Sequence, residues 1–251
     1  MPTQYTPSTD WHEQIATDEA ERFAVYGQQF AAIQAAKSQR YGPGRALHRK
    51  QLTAAHGTLE VQGGLPEFAR HGLFATPATY EVWTRLSNGA MDPAPDRRPD
   101  IRGFALHVRG VSGASALGHA PASSQDFTLI NAEAFAFAKS EEFVAFVVAA
   151  AEGNGALLKY LLKRYGLLGG PARLLKMLKA VAKPFSGFAT EPLFSAVPMA
   201  CGPYAVRVRL LPDAGNGAVS PDAKQDWGGD FSARLKHQSL QWELQLQPFV
   251  S

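Results

Sequence analysis

Trp83-Thr84-Arg85-Leu86-Ser87-Asn88-Gly89 closes one of four short runs, near 54–62, 79–88, 101–110 and 125–131, that fill the first half of this chain. The runs carry β-branched and aromatic residues and are broken by Gly, Pro and Asp, which is the composition of strands separated by turns. Upstream, residues 11–38 are rich in Ala, Gln and Glu, with Ser8, Thr9 and Asp10 available as caps and Gly42-Pro43-Gly44 as a stop. That pattern predicts a helix. Downstream, the period becomes helical at Ala134, where Phe135-Ala-Phe-Ala opens an apolar run that continues through Phe143 and Phe146-Val-Val. Two shorter helices are expected at about 156–166 and 171–183, separated by Gly166 and Gly169-Gly170-Pro171. Strand texture returns at 204–211 and at 240–247, where Leu240, Trp242, Leu244 and Leu246 alternate onto one face. Strands, then helices, then strands predict an α+β fold, an antiparallel β-barrel with an N-terminal helix and a helical insertion between its two halves.

The chain of 251 residues, 45% hydrophobic, has enough apolar material for a sizeable core. No repeat or linker-like segment divides it, so one domain over 1–251 is expected: the helix 11–38, a first barrel half 45–131, the insertion 134–183 and a second half 193–247. A single cysteine excludes a disulfide framework and a cysteine metal cluster, and fits a reducing compartment. The N-terminus has no apolar stretch behind a basic start, and no run approaches the ~20 apolar residues of a membrane span. A cytoplasmic protein is expected. The net charge of +3 is mild but unevenly spread: Lys159, Lys163, Arg164, Arg173, Lys176, Lys179 and Lys183 occur between Ala156 and Lys183 with no acid among them.

Three polar segments carry the candidate chemistry: Arg45-Ala-Leu-His48-Arg-Lys50, the Trp83–Gly89 run, and Asp96-Arg-Arg-Pro-Asp100-Ile-Arg102-Gly103-Phe104-Ala105, the last followed by Gln125-Asp-Phe-Thr-Leu-Ile-Asn131. On a strand Arg85 and Ser87 share a face. A hydroxyl beside a guanidinium there is usually a solvated surface, and a lone histidine is usually structural. A neutral imidazole nevertheless has one donor and one acceptor nitrogen. Held by Ser87 through one of them, His48 can use the other as a general acid–base group.

Taken together, Arg45-x-x-His48-x-Lys50, Arg85-x-Ser87 and Arg102-Gly103-Phe104-Ala105 resemble, in order and approximate spacing, the distal segments of the haem catalase superfamily. The Arg-Leu-Ser-Asn-Gly and Gln-Asp-Phe-x-Leu-Ile-Asn runs are most similar to its short, peroxidase-like branch. The similarity covers roughly residues 40–250 and implies a catalase-type barrel, haem b as cofactor, and oxidoreductase activity on hydrogen peroxide or organic hydroperoxides. It also implies roles. His48 is the distal base, Ser87 holds its ring, Arg45 and Arg85 pair with the haem propionates, and Phe135 stacks on the haem face. As a residue on an amphipathic helix, Phe135 reads equally well as core. From the resemblance and the strand alternation, His48 and Ser87 are expected within hydrogen-bonding reach, facing the barrel interior, and the two arginines are expected at one mouth of the same pocket.

Two departures accompany the resemblance. The family's distal asparagine has no counterpart in Ala120-Pro-Ala-Ser-Ser124, where Ser123 or Ser124 is the nearest substitute donor. The proximal tyrosinate of the family lies beyond the last strand, and this sequence ends at Gln247-Pro-Phe-Val-Ser251, so no axial ligand is identifiable and a C-terminally shortened barrel is expected. A strand left without an edge partner favours a homo-oligomer. The alternatives are a non-catalytic remnant or ligand-binding barrel for a lipid-like molecule, lacking the proximal haem ligand, and a hydroperoxide isomerase on the same fold. The basic segment 156–183 reads either as a solvated cationic face or as an interfacial pair touching anionic lipid. No nucleic-acid recognition motif or phosphate loop is present.

Overall fold

The computed structural model describes residues 5–115 and 121–250. Eight strands form one antiparallel sheet. They are β1 (Gln51–Val61), β2 (Ala78–Asn88), β3 (Arg102–Gly113), β4 (Ala122–Ile130), β5 (Leu193–Ser195), β6 (Met199–Cys201), β7 (Tyr204–Pro212) and β8 (Trp242–Pro248). The first four pair in sequence order, β4 pairs β5, and β7 is flanked by β5 and β6 on one side and β8 on the other. The long strands follow the sequence texture closely because a period of two is a local signal. β5 and β6 were not foreseen; each has three residues and is held by partners rather than by pattern.

Side chains alternate across the sheet. Val82, Leu86, Phe104, Leu106, Val108, Phe127 and Leu129 point to one side and form the core with Leu193, Val208 and Leu210. Trp242, Leu244 and Leu246 of β8, with Leu240 just before it, pack against that core as the alternation predicted, but stay only partly buried. The reason is that the barrel does not close. β1 and β8 are not paired, and a cavity of about 1810 Å³ opens between them. At one end a helix, α4 (Trp227–Leu235), joins these edges in place of a ladder. Its Ser232 hydroxyl is 3.2 Å from that of Thr53 in β1, and its Phe231 ring stacks 5.9 Å from Trp242 of β8. Beyond β8, Ser8 N–H donates to Phe249 O and Pro7 bridges Val250, so an N-terminal strand fragment covers the continuation of that edge.

The same contacts correct the first helix. α1 runs Glu19–Tyr41, not from residue 11. Ser8 Oγ accepts from Asp10 N–H in a local turn, and Trp11 Nε1 donates to Pro203 O (2.8 Å), so the segment before α1 is tied to distant chain. The insertion also begins later than expected, at α2 (Ser140–Glu152), leaving 134–139 irregular. α3 (Asn154–Val181) is broken only at Gly166 (φ 75°, ψ 176°), while Gly169, Gly170 and Pro171 lie inside its second half. A left-handed φ suits Gly, so the break falls there. No helix among the described residues is long and apolar enough to cross a membrane.

Candidate distal histidine site

Arg85, Ser87 and Gly103 alternate with the core residues Leu86 and Phe104, so the histidine site lies on the outer face of the sheet, not in the barrel interior as expected. The β1–β2 ladder is extended by the segment before β1: His48 N–H donates to Gly89 O (3.0 Å) and Asn88 N–H to Lys50 O (3.0 Å). His48 adopts φ 50° and is the sole non-glycine residue in the left-handed region among those described. Such a conformation costs on the order of 1–3 kcal/mol and persists where surroundings over-determine it. Here they do. Arg85 Nη2 donates to His48 O (2.6 Å), and His48 Nδ1 lies 3.0 Å from Ser87 Oγ, which is buried. A Cβ built on Gly103 would stand 2.5 Å from His48 Nδ1 and 2.9 Å from Ser87 Oγ. The ring therefore rests directly on the Gly103 backbone.

Beneath this surface is a buried polar network that sequence reasoning did not assign. Asp96, only 2% exposed, accepts from Lys50 Nζ, from Asn88 Nδ2 (2.9 Å) and from the N–H of Trp227 (3.0 Å). Its carbonyl accepts from Arg102 Nη2 (2.8 Å) and Trp227 Nε1 (3.1 Å). Arg102 also donates to Asn88 Oδ1 and lies over the Trp227 ring. Lys50, Asn88 and Arg102 lie within two positions of His48, Ser87 and Gly103 in sequence, so the same three motifs supply both the site and its foundation. Sequence shows these polar residues but not their burial, because the partner Trp227 is 131 positions from Asp96.

Burial, then the charges of Arg85 and Arg45, push the His48 pKa down to about 4. The imidazole is neutral at pH 7. Burial and the neighbouring Arg45 lower the Arg85 pKa as well. The structure thus brings His48, Ser87, Arg45 and Arg85 together, and neither arginine has a carboxylate partner among the described residues. Two guanidiniums without a carboxylate partner, beside a neutral imidazole, give this corner a positive potential next to a group with a free ring nitrogen.

Phe135 sits in the irregular segment before α2 and is 36% exposed, so it is neither on a helix nor a core residue. Its ring packs on Phe143 (5.1 Å) and Phe137 (5.8 Å), with no ring contact to His48 among the described residues. α1 links the two places. Its Phe30 meets Phe143 (6.2 Å), and its Gln34 donates to Gly44 O (2.9 Å) just before Arg45. Ser123 and Ser124 lie at the far end of β4, since Ser124 pairs Arg109 whereas Ile130 pairs Gly103. Six residues of strand separate them from the histidine, about 20 Å, so neither replaces the distal asparagine; Ala120 lies outside the described residues. The outer-row hydroxyl nearer the site is Thr128, opposite Ala105. The 1810 Å³ cavity is lined by none of His48, Ser87, Arg45, Arg85 and Phe135. Among the described residues no three His, Cys, Asp or Glu side chains cluster to hold a metal ion.

This is a mixed helix and antiparallel-sheet protein with a catalase-like fold. A solved bacterial catalase superposes on the whole chain with a TM-score of 0.58 at 14% identity, and the chain spans 48% of that catalase's length. No family model and no curated protein matches the sequence.

Proposed function

We propose that the protein is a haem-dependent peroxide-handling oxidoreductase, acting on hydrogen peroxide or organic hydroperoxides through His48. The observation that carries this reading is the clamped, neutral imidazole: Nδ1 is 3.0 Å from Ser87 Oγ, with Arg45 and Arg85 beside it. The distal residues fit haem b. Arg45 and Arg85 have the charge and the forked geometry for its two propionates, and the Gly103 backbone, bare of a side chain, leaves the ring its seat. The fit is to one face, because no axial ligand is identified among the described residues. Haem, when bound, supplies the redox chemistry of O–O cleavage.

The chain's own part is proton transfer. With Nδ1–H donating to Ser87, Nε2 is the acceptor; it takes the proton from the proximal peroxide oxygen and returns it to the distal one, which leaves as water or alcohol. Burial, and after it the two arginines, disfavour the imidazolium and so keep His48 neutral at neutral pH. The buried free Cys201 suits a cytoplasmic setting.

Titration of the purified chain with ferric haem tests the proposal. A saturable Soret band that weakens at least tenfold in affinity in the Arg45→Gln/Arg85→Gln double variant supports it. Peroxide-dependent spectral change should then be lost in His48→Gln while binding is kept. Absence of saturable uptake, or uptake indifferent to both arginines, would overturn it. The open cavity between β1 and β8 favours a second reading, a barrel that holds a lipid-like molecule. Displacement of a fluorescent fatty acid from a chain that takes up no haem would establish that reading instead.

A further inference from the structure

The second half of α3 turns an apolar face to solvent. Leu168, Pro171, Leu175 and Leu178 recur every three or four residues, and with Leu167 they lie on the outward side of the helix. Leu167 is 81% exposed, Leu168 90%, Leu175 53% and Leu178 56%. The opposite side is occupied: Gly170 is buried against Leu161, and Arg173 donates to Ala136 O and lies over the rings of Phe137 and Tyr165. Two of the basic residues are thereby internal fasteners, Arg173 and Arg164, which pairs with Glu142. Lys159, Lys163, Lys176, Lys179 and Lys183 are exposed and make no ion pair among the described residues. The helix itself contains no acid.

We propose that the 167–183 segment docks in the headgroup layer of an anionic lipid bilayer. Four exposed leucines on one stripe with lysines along its flank match what such a surface offers, an apolar layer beneath a sheet of negative charge. An acidic protein or a nucleic acid would use the lysines and leave the leucines in water. A neutral apolar partner would use the leucines and gain nothing from the lysines. The bilayer uses both. The Gly166 break aids this geometry, because it lets the second half lie across the first instead of continuing its axis. The inference stands independently of haem.

Vesicle sedimentation with the whole chain is the test, comparing mixed phosphatidylglycerol–phosphatidylcholine vesicles with pure phosphatidylcholine vesicles. Binding to the anionic vesicles only, weakening with salt, is expected. Lys176→Gln/Lys179→Gln/Lys183→Gln should lower partitioning about a hundredfold, and Leu168→Gln/Leu175→Gln at least about tenfold. All five positions are exposed, so unchanged far-ultraviolet circular dichroism is expected for both variants. No binding, or equal binding to both vesicle types, would overturn the proposal. So would anionic binding that the leucine variant retains in full, especially if heparin captures both proteins equally, since that identifies an acidic polymer as the partner.

Discussion

The His48 corner and the β1–β8 seam are two ends of the same first strand's surroundings, and they are built to opposite standards. Around His48 every degree of freedom is used: a left-handed backbone, two ladder bonds, a guanidinium on its carbonyl, a hydroxyl on its ring and a glycine beneath it. Along the seam, β1 and β8 present unpaired edges to a wide cavity, and their leucines are half-buried. The difference teaches where the chain concentrates constraint. Precise placement of one side chain is secured by polar contacts and close approach, while the apolar interior is left loosely filled on one side.

The largest effect expected from breaking that contrast is at Asp96. Asp96→Ala removes the acceptor of Lys50 Nζ, Asn88 Nδ2 and the Trp227 N–H in a buried place, and urea unfolding should show a loss of about 3–5 kcal/mol. If the loss is below 1 kcal/mol, the network is not the foundation of the corner. Next comes Gly103→Val, whose side chain would displace the imidazole. It should cost about 1–3 kcal/mol and abolish the His48–Ser87 hydrogen bond, seen as a shift of the His48 ring resonances in NMR spectra. Ordinary stability with unshifted resonances would show that the ring does not rest on Gly103.

A paired measurement sharpens the comparison. Leu129→Ala, in the tightly packed part, should cost about 2–5 kcal/mol. Leu244→Ala at the seam should cost less than about 1.5 kcal/mol, because its side chain is already partly wet. Equal costs would mean that the seam closes in solution. The last measurement is of pH dependence. The folded His48 titrates near 4 against an ordinary value of 6.5, so on acidification through that window the unfolded chain takes up a proton that the folded chain refuses. Stability should therefore fall between pH 6.5 and 4 by on the order of 3 kcal/mol, and His48→Gln should flatten that slope.

Much of this was legible in the residues themselves. The strands at 78–88, 102–113, 204–212 and 242–248 were readable because alternation and turn residues are properties of neighbours in sequence. The proximity of His48, Ser87, Arg45 and Arg85 came from motif order. Phe135 was misplaced because the five apolar residues Ala134–Ala138 preceding a helix have the same composition as a helical turn, and only the packing against Phe143 tells them apart. The helix at 227–235 was overlooked: its two glycines weaken the helical signal, and its place is secured by Asp226, which accepts from Gly229 N–H, and by contact with β1.

What the sequence by itself determined is the long strands and the main helical segments, the α+β order and the residues available for chemistry. Only the tertiary structure decided which side of β2 is inside. A period of two says that Arg85 and Ser87 share a face; it is silent on whether that face or the one bearing Val82 and Leu86 meets the core. The choice went to the row that could join Phe104, Phe127 and Leu129, because burying apolar surface is favourable and burying an unpaired guanidinium is not. The same long-range accounting seats Asp96 on Trp227, starts α1 at Glu19 and leaves β1 and β8 apart, outcomes that depend on partners far along the chain and so have no local signature.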